Sequence, residues 1–108
     1  MVHERMVAID PDHPSLAGHF PGHPVVPGVV LLHEVLATLR KGSTAPVAVT
    51  GLPIVKFAAP LRPGEVMTIR VCEEAGVRAT FSCVVGARLI ASGVIEFATG
   101  MPARAEQA

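Results

Sequence analysis

The first apolar run along the chain, Arg5-Met6-Val7-Ala8-Ile9, predicts a short strand over residues 5–9. Asp10-Pro11-Asp12-His13-Pro14 ends it, a cluster that breaks regular structure and favours turns. Five prolines and two glycines fall between Pro11 and Pro27. Each proline fixes its own φ and pushes the preceding residue toward an extended backbone, so the stretch is stiff without being regular. Stiff loops held by a scaffold are common places for binding chemistry.

The period then changes. Leu32, Val35, Leu36 and Leu39 recur at helical spacing and predict a helix from Gly28 to Lys41, with Pro27 at its first position. Arg40 and Lys41 suit the negative end of the helix dipole, and Gly42 is a plausible terminator. Apolar residues continue on both sides of the stripe, so the helix is expected to be buried nearly all round. The sheet to bury it comes from residues 46–57, 65–74, 77–85 and 88–98, rich in Val, Ile, Thr and Phe. Alternation is clearest where Val77, Ala79, Phe81, Cys83 and Val85 face one way and Arg78, Thr80 and Ser82 the other. Connections as short as Glu74-Ala75-Gly76 and Gly86-Ala87 require antiparallel hairpins, because parallel strands need long crossovers. The expected order is strand, long loop, helix and four meandering strands.

No linker or charge block divides the 108 residues, which therefore read as a single domain over 1–99, with the small, polar residues 100–108 a disordered tail. Half of the residues are hydrophobic, with four Phe and no Trp or Tyr, so the core is aliphatic and apolar surface is left for another subunit to cover. Nine basic and nine acidic residues cancel and are scattered, giving no electrostatic footprint for nucleic acid or an anionic membrane. A local patch of Arg40, Lys41, Lys56 and Arg62 is compatible with an acidic carrier protein. Met-Val-His-Glu-Arg lacks the apolar run of a signal peptide, no stretch is long enough to span a membrane, and the expected location is the cytoplasm. There Cys72 and Cys83 are expected as core thiols and not as a disulfide. The five histidines show no metal-ligand spacing, so no metal is expected.

The segment His19-Phe20-Pro21-Gly22-His23-Pro24-Val25-Val26-Pro27-Gly28-Val29-Val30-Leu31-Leu32 closely resembles the active-site stretch of the 3-hydroxyacyl-acyl-carrier-protein dehydratases. In that family the motif reads His-Phe-Pro-Gly-x-Pro, two apolar residues, Pro-Gly-Val, and runs into a buried central helix. Val55-Lys56-Phe57 and Pro60-Leu61-Arg62-Pro63-Gly64-Glu65 resemble a second strand and turn of the same family, so the likeness covers roughly residues 16 to 98. The resemblance implies an α+β hotdog fold, in which an antiparallel sheet of about five strands wraps one central helix. It implies dehydration of a 3-hydroxyacyl thioester on acyl carrier protein to the trans-2-enoyl product, without metal or organic cofactor. It implies a dimer, either a homodimer or a heterodimer with a related subunit, whose two catalytic side chains come from opposite subunits.

Each position also has a reading in its own chemistry. Dehydration needs a base for the proton beside the thioester carbonyl, and imidazole titrates nearest the working pH, which makes His19 the candidate base; its alternative is a loop histidine bonded to backbone. The N–H of Gly28, at a helix N-terminus, is the candidate oxyanion donor, and its lack of a Cβ equally serves a tight turn into the helix. Phe20, Pro21, Gly22, Pro27 and Val29 complete the substrate-binding set that the resemblance implies, and His23, at the variable motif position, reads as solvated or structural.

One departure changes the chemistry. Fourteen residues after the motif histidine the family places a Glu or Asp, the acid that helps water leave; here that position is His33, and Glu34 follows it. One helical step rotates a side chain by about 100°, which puts His33 with Val29, Val30 and Ala37, and Glu34 with Leu31, Thr38 and Lys41. Three readings stay open. His33 donates the proton, although the dipole disfavours its imidazolium form in the first half of the helix. Glu34 reaches the pocket through a local shift, against a solvated pairing with Lys41. Or the acid is missing, and the chain is a weakly active or non-catalytic acyl-binding subunit of a heterodimer. Thioester hydrolysis on the same fold is a further alternative.

Overall fold

The structure is a computed structural model and describes residues 1–13 and 25–100. Its elements are β1 (Val2–Val7), α1 (Gly28–Gly42), β2 (Val47–Phe57), β3 (Met67–Glu74), β4 (Arg78–Val85) and β5 (Arg88–Thr99). The strands form a five-stranded sheet in the order β1-β3-β4-β5-β2, antiparallel throughout. Met67, Ile69 and Val71 of β3, Ala79, Phe81 and Cys83 of β4, and Ile90 and Ile95 of β5 are buried on one face of the sheet. Against that face lies a helical stripe of Val30, Leu31, Val35, Thr38 and Leu39. Complete burial of a side chain such as Val35 or Leu39 contributes about 2 kcal/mol, so this seam holds the domain together.

Three expectations need correction. The first strand begins and ends earlier than residues 5–9, and Ile9 is buried outside it, its carbonyl accepting a hydrogen bond from the Gly64 N–H at 2.9 Å. The helix is not buried nearly all round: Val29 is 73 % exposed, and His33, Arg40 and Lys41 also face outward. Only β3, β4 and β5 meander in sequence, while β2 pairs with β5 at the far edge. The connection over residues 58–66 is too long for a hairpin and instead crosses the domain, burying Leu61 on the way. Neighbours in sequence are often, not always, neighbours in a sheet.

The turns follow their chemistry. Gly76 and Gly86 adopt positive φ in the two tight hairpins, and Ala75 shares that conformation at φ 55°. At the helix C-terminus glycine serves another purpose: Gly42 closes α1 without a positive φ, because a Cβ there would collide with the His3 ring. His3 in turn bonds the Glu73 carboxylate, fastening β1 to β3. Cys72 and Cys83 are free thiols, and burial pushes the Cys83 pKa up to about 11.

Gly93 marks where β2 is bulged. The β2–β5 register shifts between Val49 and Ile54, and a Cβ on Gly93 would strike the Ile54 carbonyl oxygen and lie 2.8 Å from the Phe81 ring. Gly93→Ala is expected to lower the unfolding free energy by about 2–3 kcal/mol, measurable by denaturant titration; an unchanged midpoint would show that this crowding is absent.

The turn into β3 is tied by Glu65, whose carboxylate accepts the Arg62 N–H at 2.9 Å and the Arg88 guanidinium at 2.7 and 2.8 Å. The Arg62 amide and the Arg88 side chain hold the Glu65 pKa below the usual carboxylate value. A carboxyl whose pKa is lower in the folded state stabilises the fold above its unfolded value and stops doing so as pH falls through the folded one. Acid unfolding of Glu65→Gln should therefore begin from a less stable state at neutral pH and be less steep below pH ~4.5. Superimposable acid profiles for variant and wild type would contradict this role.

Candidate functional site

The helix N-terminus opens onto a cavity of about 380 Å³ lined by Val25, Val26, Gly28 and Leu31 on one side and Phe57, Ala58, Ala59, Pro60 and Leu61 on the other. Local chemistry explains the seam between the two walls. Pro27 is the N-cap, extended at ψ 146°, and its carbonyl accepts the N–H groups of Val30 at 3.0 Å and Leu31 at 3.3 Å. No side chain caps this end. The N–H of Gly28, in the first turn, has no intrahelical acceptor and lies at the positive end of the dipole. Just upstream the Val26 N–H donates to the Leu61 carbonyl at 2.8 Å, stitching the approach to the helix onto the opposite wall.

That wall begins at the end of β2. Phe57 pairs with Ala91, and the N–H groups of Ala58 and Ala59 both reach the Ile90 carbonyl, at 2.8 and 3.3 Å. The Phe57 ring points its far edge at Gly28: a Cβ on Gly28 would lie 2.7 Å from Cζ and 3.0 Å from Cε1. Helix and wall approach this closely because position 28 carries no side chain.

Of the residues singled out by sequence, Gly28 lines the cavity and Pro27 caps the helix beside it. His19, Phe20, Pro21, Gly22 and His23 lie outside the described residues. Val29 projects outward and is not part of the lining. His33 stands exposed on the helix one turn beyond Val29, on the face the sheet leaves open. Glu34 turns toward β1, where its carboxylate accepts the Arg5 guanidinium at 2.7 Å. The same Arg5 nitrogen donates to the Glu34 carbonyl at 2.9 Å, and Arg5 Nε donates to Thr38 Oγ1 at 3.1 Å. Glu34 thus pairs with Arg5 and not with Lys41. Among the described residues no three of His, Cys, Asp or Glu gather as a metal site would require.

The wall from Phe57 to Leu61 was not among the candidates drawn from sequence. A signal for it existed: Val55-Lys56-Phe57 and Pro60-Leu61-Arg62 are the second stretch that resembles the dehydratases. What the sequence lacks is the crossing of residues 58–66, which brings this stretch to the helix N-terminus.

The family model described as ApeI-like, ApeI dehydratase, matches residues 3–94. The 3-hydroxyacyl-[acyl-carrier-protein] dehydratase FabZ of Chlamydia trachomatis serovar L2 is 32 % identical, the match covering 90 % of this chain and 71 % of that protein. The same enzyme of Streptococcus mutans serotype c is 34 % identical over 82 % of this chain and 71 % of its own length. Among solved structures, the dehydratase heterocomplex ApeI:P from Xenorhabdus doucetiae superposes with a TM-score of 0.77 at 26 % identity, covering 89 % of this chain and 88 % of that one. The fluoroacetyl-CoA-specific thioesterase FlK shares the fold, with a TM-score of 0.70 at 16 % identity, covering 92 % of this chain and 91 % of that one.

The Arg5–Glu34–Thr38 cluster carries its own expectation. Arg5→Met removes three charge-assisted hydrogen bonds from a half-buried site and should cost about 2 kcal/mol of stability. Thermal melts of Arg5→Met, Glu34→Gln and the double variant measure this, and additive losses would show that the pair is not coupled.

Proposed function

This chain belongs to the ApeI-like dehydratase family, and on that premise we propose that it dehydrates 3-hydroxyacyl thioesters on acyl carrier protein to trans-2-enoyl thioesters, in the cytoplasm. The observation that carries the reading is a largely apolar cavity lined by Gly28, the glycine of the Pro27-Gly28-Val29 step in the stretch that begins at His19. An apolar pocket suits an acyl chain, and an amide at a helix N-terminus suits a carbonyl oxygen gaining charge.

The reaction balances without a cofactor. His19 takes the proton from C2, and the electron pair moves through the enolate, whose oxygen the Gly28 N–H holds. The C3–O bond then breaks as the hydroxyl is protonated, C2 and C3 become doubly bonded, and water leaves. The pairing of Glu34 with Arg5 favours a structural role for that carboxylate. The proton for the departing hydroxyl is accordingly assigned to His33 or to an acid on a partner subunit.

A partner is supported by what the chain leaves uncovered: Val29, Leu52, Ile54 and Phe57 are exposed, and β2 is an edge strand. A homodimer or a heterodimer with a related hotdog subunit would cover them, and the structural likeness to a dehydratase heterocomplex favours the second. A second reading follows, in which this chain binds the acyl thioester and a different subunit supplies the acid. Of the four cations grouped by sequence, Lys56 and Arg62 adjoin the cavity-lining Phe57 and Leu61, whereas Arg40 and Lys41 sit at the far end of the helix, about 20 Å from Gly28 at 1.5 Å per residue.

The test incubates the purified protein with a 3-hydroxyacyl carrier-protein substrate and follows enoyl formation and free thiol together. Dehydration that falls about 10²–10⁴-fold in His19→Ala supports the enzyme. Thioester binding with no turnover until a related subunit is added supports the heterodimer reading. Thiol release without enoyl product, or rates equal to background with no thioester binding, would remove the proposal.

A further inference from the structure

Exposure grades the lining of the cavity from a rim to an inner end. Phe57, Ala58 and Pro60 are exposed, whereas Val26, Leu31 and Leu61 are buried. Among the described residues the helix contributes Gly28 and Leu31 to this lining, and they lie about 4.5 Å apart along the axis at 1.5 Å per residue. The next residues of the same stripe, Val35 and Leu39, do not border the cavity, and both are buried in the core between helix and sheet. The cavity therefore enters the domain by about one helical turn and stops at the Leu31 side chain. Its volume of about 380 Å³ is near the lower end for small-molecule sites.

We infer that Leu31 is a specificity-determining residue which closes the inner end of the cavity and restricts it to short acyl chains. The inference rests on the reading of this cavity as the acyl-thioester site. A carrier protein is too large to enter, so the acyl tail goes in first and runs from the rim toward the buried end. A butyryl tail is accommodated within the turn between Gly28 and Leu31. An octanoyl tail outruns that turn, and its distal methylenes meet a side chain held in the core cluster, where close packing leaves it no room to move aside. Those methylenes stay in water, so lengthening the chain adds little to binding.

Each methylene taken out of water strengthens binding by about fourfold, so the methylenes that octanoyl adds to butyryl would give on the order of 10²-fold if all were buried. The test uses calorimetric binding of S-butyryl-pantetheine and S-octanoyl-pantetheine to the full chain, so that its readout does not depend on turnover. Wild type should bind the two within about fivefold of each other. Leu31→Ala, which shortens the side chain to a methyl, should raise the preference for octanoyl by about tenfold or more, and Leu31→Val should raise it by less. Val35→Ala, a truncation one turn deeper in the same stripe, should keep the wild-type ratio; a gain there equal to that of Leu31→Ala would trace the effect to a loosened core and overturn the assignment. Melting curves establish that each variant is folded, and Leu31→Val carries the test alone if Leu31→Ala is not. A preference for octanoyl on the order of 10²-fold in wild type, or a ratio unchanged in the folded Leu31 variants, would overturn the role of Leu31 while leaving the acyl cavity standing. Binding of neither thioester by any form would overturn the cavity reading and this inference with it.

Discussion

A helix of fifteen residues has to keep one stripe dry, and everything else in this domain is arranged around that need. Val30, Leu31, Val35, Thr38 and Leu39 lie on a sheet face supplied by β3, β4 and β5. Thr38 shows how strict the demand is: it is the buried polar residue of that stripe, and its hydroxyl is satisfied at once by the Glu34 carbonyl and by Arg5. A buried hydroxyl without such partners would oppose folding. The stripe also fixes the orientation of the whole helix, and with it which end faces the Phe57–Leu61 wall.

Orientation then gives two neighbouring residues different surroundings. His33 and Glu34 adjoin in sequence, yet one faces outward from the sheet and the other meets β1. An imidazole thus stands on an uncovered face, while the carboxylate next to it in sequence is engaged in holding β1 to the helix. A group on an uncovered face acts most readily on something brought by another molecule.

Much of this was legible in the sequence. The 3.6-residue period of Val35 and Leu39, and the two-residue period of Ala79, Phe81 and Cys83, gave helix and strand with bounds correct to one or two residues, because those side chains do point into the core. The glycines of the hairpins were equally plain. What escaped was long-range: the placement of β2 beside β5, and with it the cavity wall, depends on a crossing whose destination is fixed by Leu61, Val26 and Ile9 finding one another. Periodicity carries no record of such contacts. Gly42 read as a helix terminator and does end α1, but its need for glycine is a clearance for His3, far away in sequence. Likewise Glu34 found Arg5, twenty-nine residues away in sequence, and not the Lys41 one heptad along.

The clearance at Gly42 also gives the molecule a polarity. Met1, Gly42 to Ala45, Glu73 and Thr99 line a common cleft, so the start of the chain, the end of the helix and the end of the last strand meet at the pole opposite Gly28. A surface tether attached to a side chain at Met1 or Thr99 would stand clear of the cavity at the Gly28 end of the helix.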